Sequence, residues 1–290
     1  MAVGQMQIGG IVAAALLLSD CTSVAPAPPA MPAYPMRIVS MNPCVDAVLM
    51  EVADHKQIAA ISHYSHDPRA TSIPIGKALS FPAVSGDAED VLAADPDLVI
   101  AGPHVALQTI DALKRLGIPM MSVPVPNTVA DNKAQIIAIA QAIGQPAKGQ
   151  ALNSRIDAAL AQAKSSGRSV TAIIWQGGGL VPGKGTLADE LLARTGFSNS
   201  SSSLGLKTWD ILSIEGLLAK PPEVVLTGEA DLGAGNAGGN RMLAHPIFGQ
   251  TGTKIRRANF PSRYLQCGGP VIIQAVQRLA AVRRESEAQP

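Results

Sequence analysis

Fourteen residues of this chain occur twice, and the duplication narrows the folds open to it more than any other feature. The segment 89–102, EDVLAADPDLVIAG, returns at 215–228 as EGLLAKPPEVVLTG. Positions 89/215, 92/218, 93/219, 96/222, 99/225 and 102/228 carry the same residue, respectively Glu, Leu, Ala, Pro, Val and Gly. Each copy reads as a short helix with an acid in its first turn, a turn marked by proline, and a buried strand. The spacing is far longer than the roughly 20–50-residue period of a solenoid. It predicts two similar α/β lobes, each presenting one glutamate, with the working site in the crevice between them.

The 290 residues suffice for one large core or two moderate ones. A hydrophobic share of 47% against 16% charged residues describes a packed globular chain. The net charge of +1, without a dense Lys/Arg stripe, argues against nucleic acid as a partner. Residues 1–36 are expected to stand outside the fold. Ile8–Leu18 is an apolar run too short for a stable membrane span, and it leads through Leu18-Ser19-Asp20-Cys21 into the Pro/Ala-rich stretch 24–35. This reads as an export signal followed by a tether. Leu-Ser-x-Cys further resembles a bacterial lipoprotein cleavage site, with Cys21 receiving the lipid. A cut by an ordinary signal peptidase near Ala27 or Ala33 is the alternative.

Beyond residue 36, helical patterns alternate with short apolar strands, which predicts mainly parallel sheets covered by helices. The run 147–166 carries Leu152, Ile156, Leu160 and Ala163 as one apolar stripe at helical spacing. At about 1.5 Å per residue it is long enough to be a rigid connector. The other reading is one more surface helix on a single sheet. The expected division is 37–145 for the first lobe, 146–168 for the connecting helix and 169–290 for the second lobe.

Four segments then carry a family resemblance: Arg37-Ile-Val-Ser-Met-Asn-Pro43; Ile61-Ser-His-Tyr-Ser-His-Asp-Pro68; the Glu-x-x-x-Ala-x-x-Pro-Asp-Leu-Val-Ile copy at 89–100; and Gly183-Lys-Gly-Thr-Leu187 followed by a helix and Thr-Gly-Phe. In order and spacing the chain resembles, over about 37–285, the periplasmic substrate-binding proteins of iron-siderophore, haem and cobalamin ABC importers. The resemblance implies two Rossmann-like α/β lobes joined by a long rigid helix, with a ligand cleft between them. It implies a monomer in the periplasm, held to a membrane only through a lipid on Cys21. The partners would be an iron chelate or corrinoid and an ABC permease with its ATPase. It implies no catalysis and no cofactor, the cargo itself containing iron or cobalt. The family's permease-docking glutamates fall on Glu89 and Glu215. A carboxylate in a first helical turn also suits its own helix, which is the plainer reading of both.

Ligands of open α/β sheets meet the turns at strand C-terminal ends. Those turns hold Asn42, Cys44, Tyr64, His66 and His104 in the first lobe, and Trp175, Trp209, Arg263, Tyr264 and Cys267 in the second. Related cobalamin binders carry a ligand-contacting Trp at the place of Trp209, whereas its residue type alone also fits a packing role. Tyr64 and Tyr264 are open to the same two readings. Aromatic faces suit a tetrapyrrole or catecholate. Arg263 is the candidate partner for an anionic group on the cargo. Cys44 and Cys267 have three readings: thiols facing the ligand, a disulfide if their Cα atoms approach within about 7 Å, or independent burial. His63, His66 and His104 open a runner-up reading as a direct zinc or manganese carrier, and a more distant one as a zinc-dependent hydrolase. The segment 178–185 imitates a phosphate-binding loop but lacks Ser or Thr after Lys184, and no Gly-x-Ser-x-Gly turn occurs.

Overall fold

The computed structural model describes Met1, residues 34–228 and residues 255–288. Cys21 and the export leader lie outside the described residues. The fold begins a little before the expected boundary at 37. Pro35 O accepts from Gln57 Nε2 at 2.9 Å, and Asp97 Oδ2 accepts the Met36 N–H at 2.7 Å. Those side chains satisfy backbone that would otherwise have to stay in water.

In chain order the first half comprises β1 (Ile38–Ser40), α1 (Pro43–Val52), β2 (Ile58–Ser62), α2 (Ile75–Ala78), β3 (Ala83–Val84), α3 (Ala88–Ala93), β4 (Leu98–Ala101), α4 (Leu107–Arg115), β5 (Met120–Ser122) and α5 (Val129–Ala142). Its five strands run parallel in the order β3-β2-β1-β4-β5. After α6 (Pro146–Ala163) come β6 (Val170–Trp175), β7 (Leu180–Pro182), α7 (Leu187–Arg194), β8 (Phe197–Asn199), α8 (Ser200–Ser203), β9 (Trp209–Ile211), α9 (Ile214–Ala219), β10 (Val224–Thr227), β11 (Arg256–Asn259), α10 (Arg263–Gln266) and α11 (Val271–Glu287). The second sheet is parallel in the order β11-β10-β6-β8, and β7 with β9 forms a separate antiparallel ribbon.

The two sheets share one plan. The order β2-β1-β4-β5 in the first corresponds to β8-β6-β10-β11 in the second. The duplicated segment fills the same place in both, as α3–β4 and α9–β10. Glu89 and Glu215 are each the second residue of their helix, and Val91 and Leu217 beneath them are fully buried. The first copy turns through Asp95 at φ 49°, the only non-glycine with positive φ among the described residues. Arg37 closes that helix end, donating to Ala94 O at 2.6 Å and Asp95 O at 2.7 Å.

The connector is α6. It packs against α1 and α5 of the first lobe and α11 of the second. Its apolar stripe, Leu152, Ile156, Leu160 and Ala163, is buried as the spacing predicts, and the stretch after 163 is no longer helical. Gly149 lets α6 approach α5 closely: a Cβ there would sit 2.6 Å from Ala140 Cβ. One hydrophobic core runs from Ile38 and Leu49 through Ile136 and Ile156 to Ile174 and Leu279, so the inner faces of both sheets share it. Strand alternation sends the other faces to two satellite cores. One holds Val39, Val99 and Leu113; the other holds Ile173, Trp175, Leu217 and Val225.

Candidate solute-binding cleft

A cleft of about 650 Å³ lies at the C-terminal ends of the first sheet, within the range usual for small-molecule sites. The loops after all five strands reach it: Met41 and Asn42 after β1, His63 and Tyr64 after β2, Ser85 and Asp87 after β3, Gly102–Ala106 after β4, and Val123–Asn127 after β5. Strand order reverses between β1 and β4, and the switch point of an open α/β sheet is where a ligand finds a crevice. The second lobe contributes Thr186–Ala188 and Leu191 at α7, Trp209 of β9, and the loop Tyr264–Gly268.

Local sequence explains the first wall. Asn42 stands extended (φ −146°) before Pro43, and its Oδ1 accepts the N–H groups of Cys44 at 2.8 Å and Val45 at 3.4 Å. Gly102 packs on this cap so closely that a Cβ would fall 1.9 Å from Asn42 Nδ2. The duplicated segment therefore ends in glycine, at least in its first copy, because a neighbouring loop crosses there.

The 3-10 turn His63–His66 forms the second wall. His63 Nδ1 lies 3.1 Å from Val84 O, and His66 Nε2 lies 3.2 Å from Ala78 O. A carbonyl only accepts, so these contacts assign the proton to Nδ1 of His63 and to Nε2 of His66. In neutral His63, Nε2 then keeps its lone pair. Its ring stacks on Tyr64 with centroids 4.1 Å apart, and Tyr64 is half exposed. Under the turn, Asp46 Oδ2 accepts Ser62 N–H at 3.0 Å and Ser65 Oγ–H at 2.6 Å. Burial raises the Asp46 carboxyl to about 7, against the opposing pull of the Ser40 and Ser65 hydroxyls and the Ser62 N–H.

The third wall is a strap from the second lobe fixed to the first. Cys267 forms a disulfide with Cys44, with Cα atoms 5.1 Å apart. Gln266 Nε2 donates to Arg69 O, and Gly269 N–H donates to Asn132 Oδ1 on α5. A further bond crosses between the lobes: Glu190 Oε2 of α7 accepts the Val129 N–H at 2.7 Å. Tyr264 rides on this strap, with Phe260 against its ring edge at 5.5 Å.

Of the residues expected at the site, Asn42, Cys44, Tyr64, His104, Trp209, Tyr264 and Cys267 line the cleft. Three do not. Trp175 is 1% exposed and sits in the satellite core of the second lobe, because alternation along β6 turns it to the sheet's outer face. Gly179 and Leu212 then cover it. His66 is outside the lining; its ring nitrogen ties the turn to Ala78 O. Arg263 is exposed and lies over the Tyr264 ring at 5.0 Å from its centroid, outside the lining. Glu89 and Glu215 are exposed on their helices. Among the described residues, no three His, Cys, Asp or Glu side chains come together to hold a metal ion, so His63, His66 and His104 do not form the ligand set of the runner-up reading. Sequence reasoning missed the Pro124–Asn127 and Thr186–Leu191 walls. The first is a proline-spaced loop, PVPN, and the second is a capped helix start, Thr186 accepting from Asp189 N at 3.1 Å.

Two sheets of one plan, braced by a shared helix and facing across a preformed cleft, define a two-lobed ligand-binding protein. The chain belongs to the periplasmic binding protein family, whose model matches residues 38–253. No curated protein matches it. Solved structures do. The periplasmic heme-binding protein RhuT from Roseiflexus sp. RS-1 is 22% identical with a TM-score of 0.69, over 86% of this chain and 98% of that one. The periplasmic vitamin B12 binding protein BtuF of Vibrio cholerae is 19% identical with a TM-score of 0.69, over 88% and 100%. The periplasmic heme binding protein HutB of Vibrio cholerae is 21% identical with a TM-score of 0.68, over 86% and 98%.

Proposed function

We propose that this protein is the solute-binding component of an ABC importer, and that it carries a broad, flat metal chelate. Haem or a corrinoid fits better than a siderophore. The observation that carries this reading is the grouping of Tyr64, Trp209 and Tyr264 around one cleft with His63. Aromatic faces bury and stack on a macrocycle. The carbonyl of Val84 holds His63 in the tautomer with Nε2 unprotonated, as a backbone carbonyl on the other ring nitrogen does for a histidine that meets a metal. The similar proteins RhuT and HutB bind heme and BtuF binds vitamin B12, which supports the same class. The protein holds and delivers its cargo, and performs no chemistry on it.

Titration of Trp209 fluorescence with hemin, cyanocobalamin and a panel of ferric siderophores tests the reading. Saturable quenching by hemin or cyanocobalamin is expected. Quenching by siderophores alone would refute the macrocycle preference, and a response only to free zinc or manganese would revive the direct-metal reading.

Glu89 and Glu215, at matching positions of matching helices, are proposed to meet arginines of the permease. Glu89→Ala and Glu215→Ala should each cut uptake in cells while leaving cargo affinity in solution unchanged. Loss of affinity with normal uptake would mean that the wrong face has been assigned. The mature chain is proposed to act as a monomer in the periplasm, anchored by a lipid on Cys21. Cys21→Ala should shift it from the membrane to the soluble fraction on centrifugation.

A further inference from the structure

Asp46 is buried, lines no part of the cleft, and yet holds the part of the wall that matters most. It lies on α1 one turn beyond the Asn42 cap. Its Oδ2 takes two donors, Ser62 N–H and Ser65 Oγ–H, which bracket His63 and Tyr64 in the chain. Its Oδ1 is buried without a hydrogen-bond partner. A buried carboxylate without a cationic partner is costly, and a fold that keeps one usually gains something from it.

We propose that Asp46 is the positioning residue for the His63–Tyr64 wall, and that its ionisation sets how firmly that wall is held, so that cargo binds more tightly to the deprotonated protein. The proposal rests on the cargo reading given above.

The physical reason lies in the two bonds. When Asp46 is charged, both are charge-assisted and about twice as strong as neutral ones. Protonation weakens both together, and with them the pull of the Ser40 hydroxyl on the same carboxyl. Among the described residues the turn is also held by the His63 and His66 ring contacts and by the Asp67 N–H to Tyr64 O bond at 3.2 Å. With burial raising the carboxyl to about 7, the switch falls near neutrality.

The groups facing Asp46 are uncharged: Ser40 from β1, Ser62 from β2 and Ser65 from the turn. From α5 and α6, the helices packed on α1, Ile136, Ile139, Leu152 and Ile156 enter the same apolar core. Glu51 of α1 pairs with Arg155 of α6 at 2.7 Å. His63, Tyr64 and His66 on the turn can ionise on their own account, and the experiment separates them from Asp46.

The affinity of the full chain for hemin and cyanocobalamin would be measured between about pH 5.5 and 8, with amide-exchange protection of residues 60–68 followed in parallel. Wild-type affinity and protection should both fall as the pH drops, affinity by about tenfold, the loss of charge assistance in the two bonds. Asp46→Asn keeps an oxygen acceptor but cannot ionise, and should flatten both curves near the acid wild-type level. Ser65→Ala, a milder change, should weaken binding at high pH and change little at low pH. Stability of the free protein must move the other way with pH, so a merely structural role would give parallel trends where opposite ones are expected. A pH slope in Asp46→Asn equal to wild type would overturn the proposal and assign the effect to the imidazoles. If wild type binds neither probe, the cargo reading fails. The protection factors then decide for Asp46 alone: a slope lost in Asp46→Asn supports it, and an unchanged slope overturns it.

Discussion

Trp175 and Trp209 show how little a residue's type says about its use. One closes a core and the other, 44% exposed, stands on the cleft rim. Trp209→Phe should abolish cargo-induced fluorescence quenching, and Trp175→Phe should leave that quenching intact while lowering the melting temperature. Quenching that survives in Trp209→Phe would remove β9 from the site. Asp46 supplies a second residue-scale outcome. Its carboxyl is raised from 3.8 to about 7, so between about pH 4 and 7 the folded chain keeps a proton that the unfolded chain has lost. Stability of the free protein therefore falls as pH rises through that interval, by at most roughly 4 kcal/mol at about 1.4 kcal/mol per unit. Asp46→Asn should remove this component, as read by chemical denaturation at several pH values. A stability that climbs over the same interval would contradict the burial-driven shift.

At the scale of elements, the α5–α6 crossing depends on Gly149. Gly149→Val should destabilise the chain by about 1–3 kcal/mol, since the added carbons meet Ala140 and a neighbouring helix backbone. Unchanged denaturation midpoints would mean that the two helices shift apart freely. The strap is the other decisive element. Cys44 and Cys267 are 223 residues apart, so their bond closes a loop spanning most of the chain. Cys44→Ser with Cys267→Ser should cost about 2–5 kcal/mol in guanidinium melts. The same double change should raise amide exchange in 263–269, where the Gln266 and Gly269 hydrogen bonds to the first lobe would remain without the covalent link. The buried stripe of α6, Leu152 to Ala163, was readable in advance from its spacing, but the helix, expected to run to 166–168, ends at Ala163. The β7–β9 ribbon was not readable, because each of its strands has only three residues and too little period to read.

For the molecule as a whole, the shared core through α6 makes the lobes energetically one body. Denaturation followed by Trp209 fluorescence and by far-ultraviolet circular dichroism should give coincident single transitions. Two separated midpoints would show that each lobe folds alone. Periodicity and duplication were enough to specify two matching α/β units, the buried connector, and the loops where a ligand would be sought, because these follow from hydrophobic spacing along a few neighbouring residues. They could not say that Trp175 turns outward, that His66 is spent on Ala78 O, that Arg263 stays outside the lining, or that Cys44 meets Cys267. Each of those depends on which sheet face, turn or distant segment arrives beside the residue. Such meetings are fixed by packing across the whole chain, where one place along a strand decides between core and cleft.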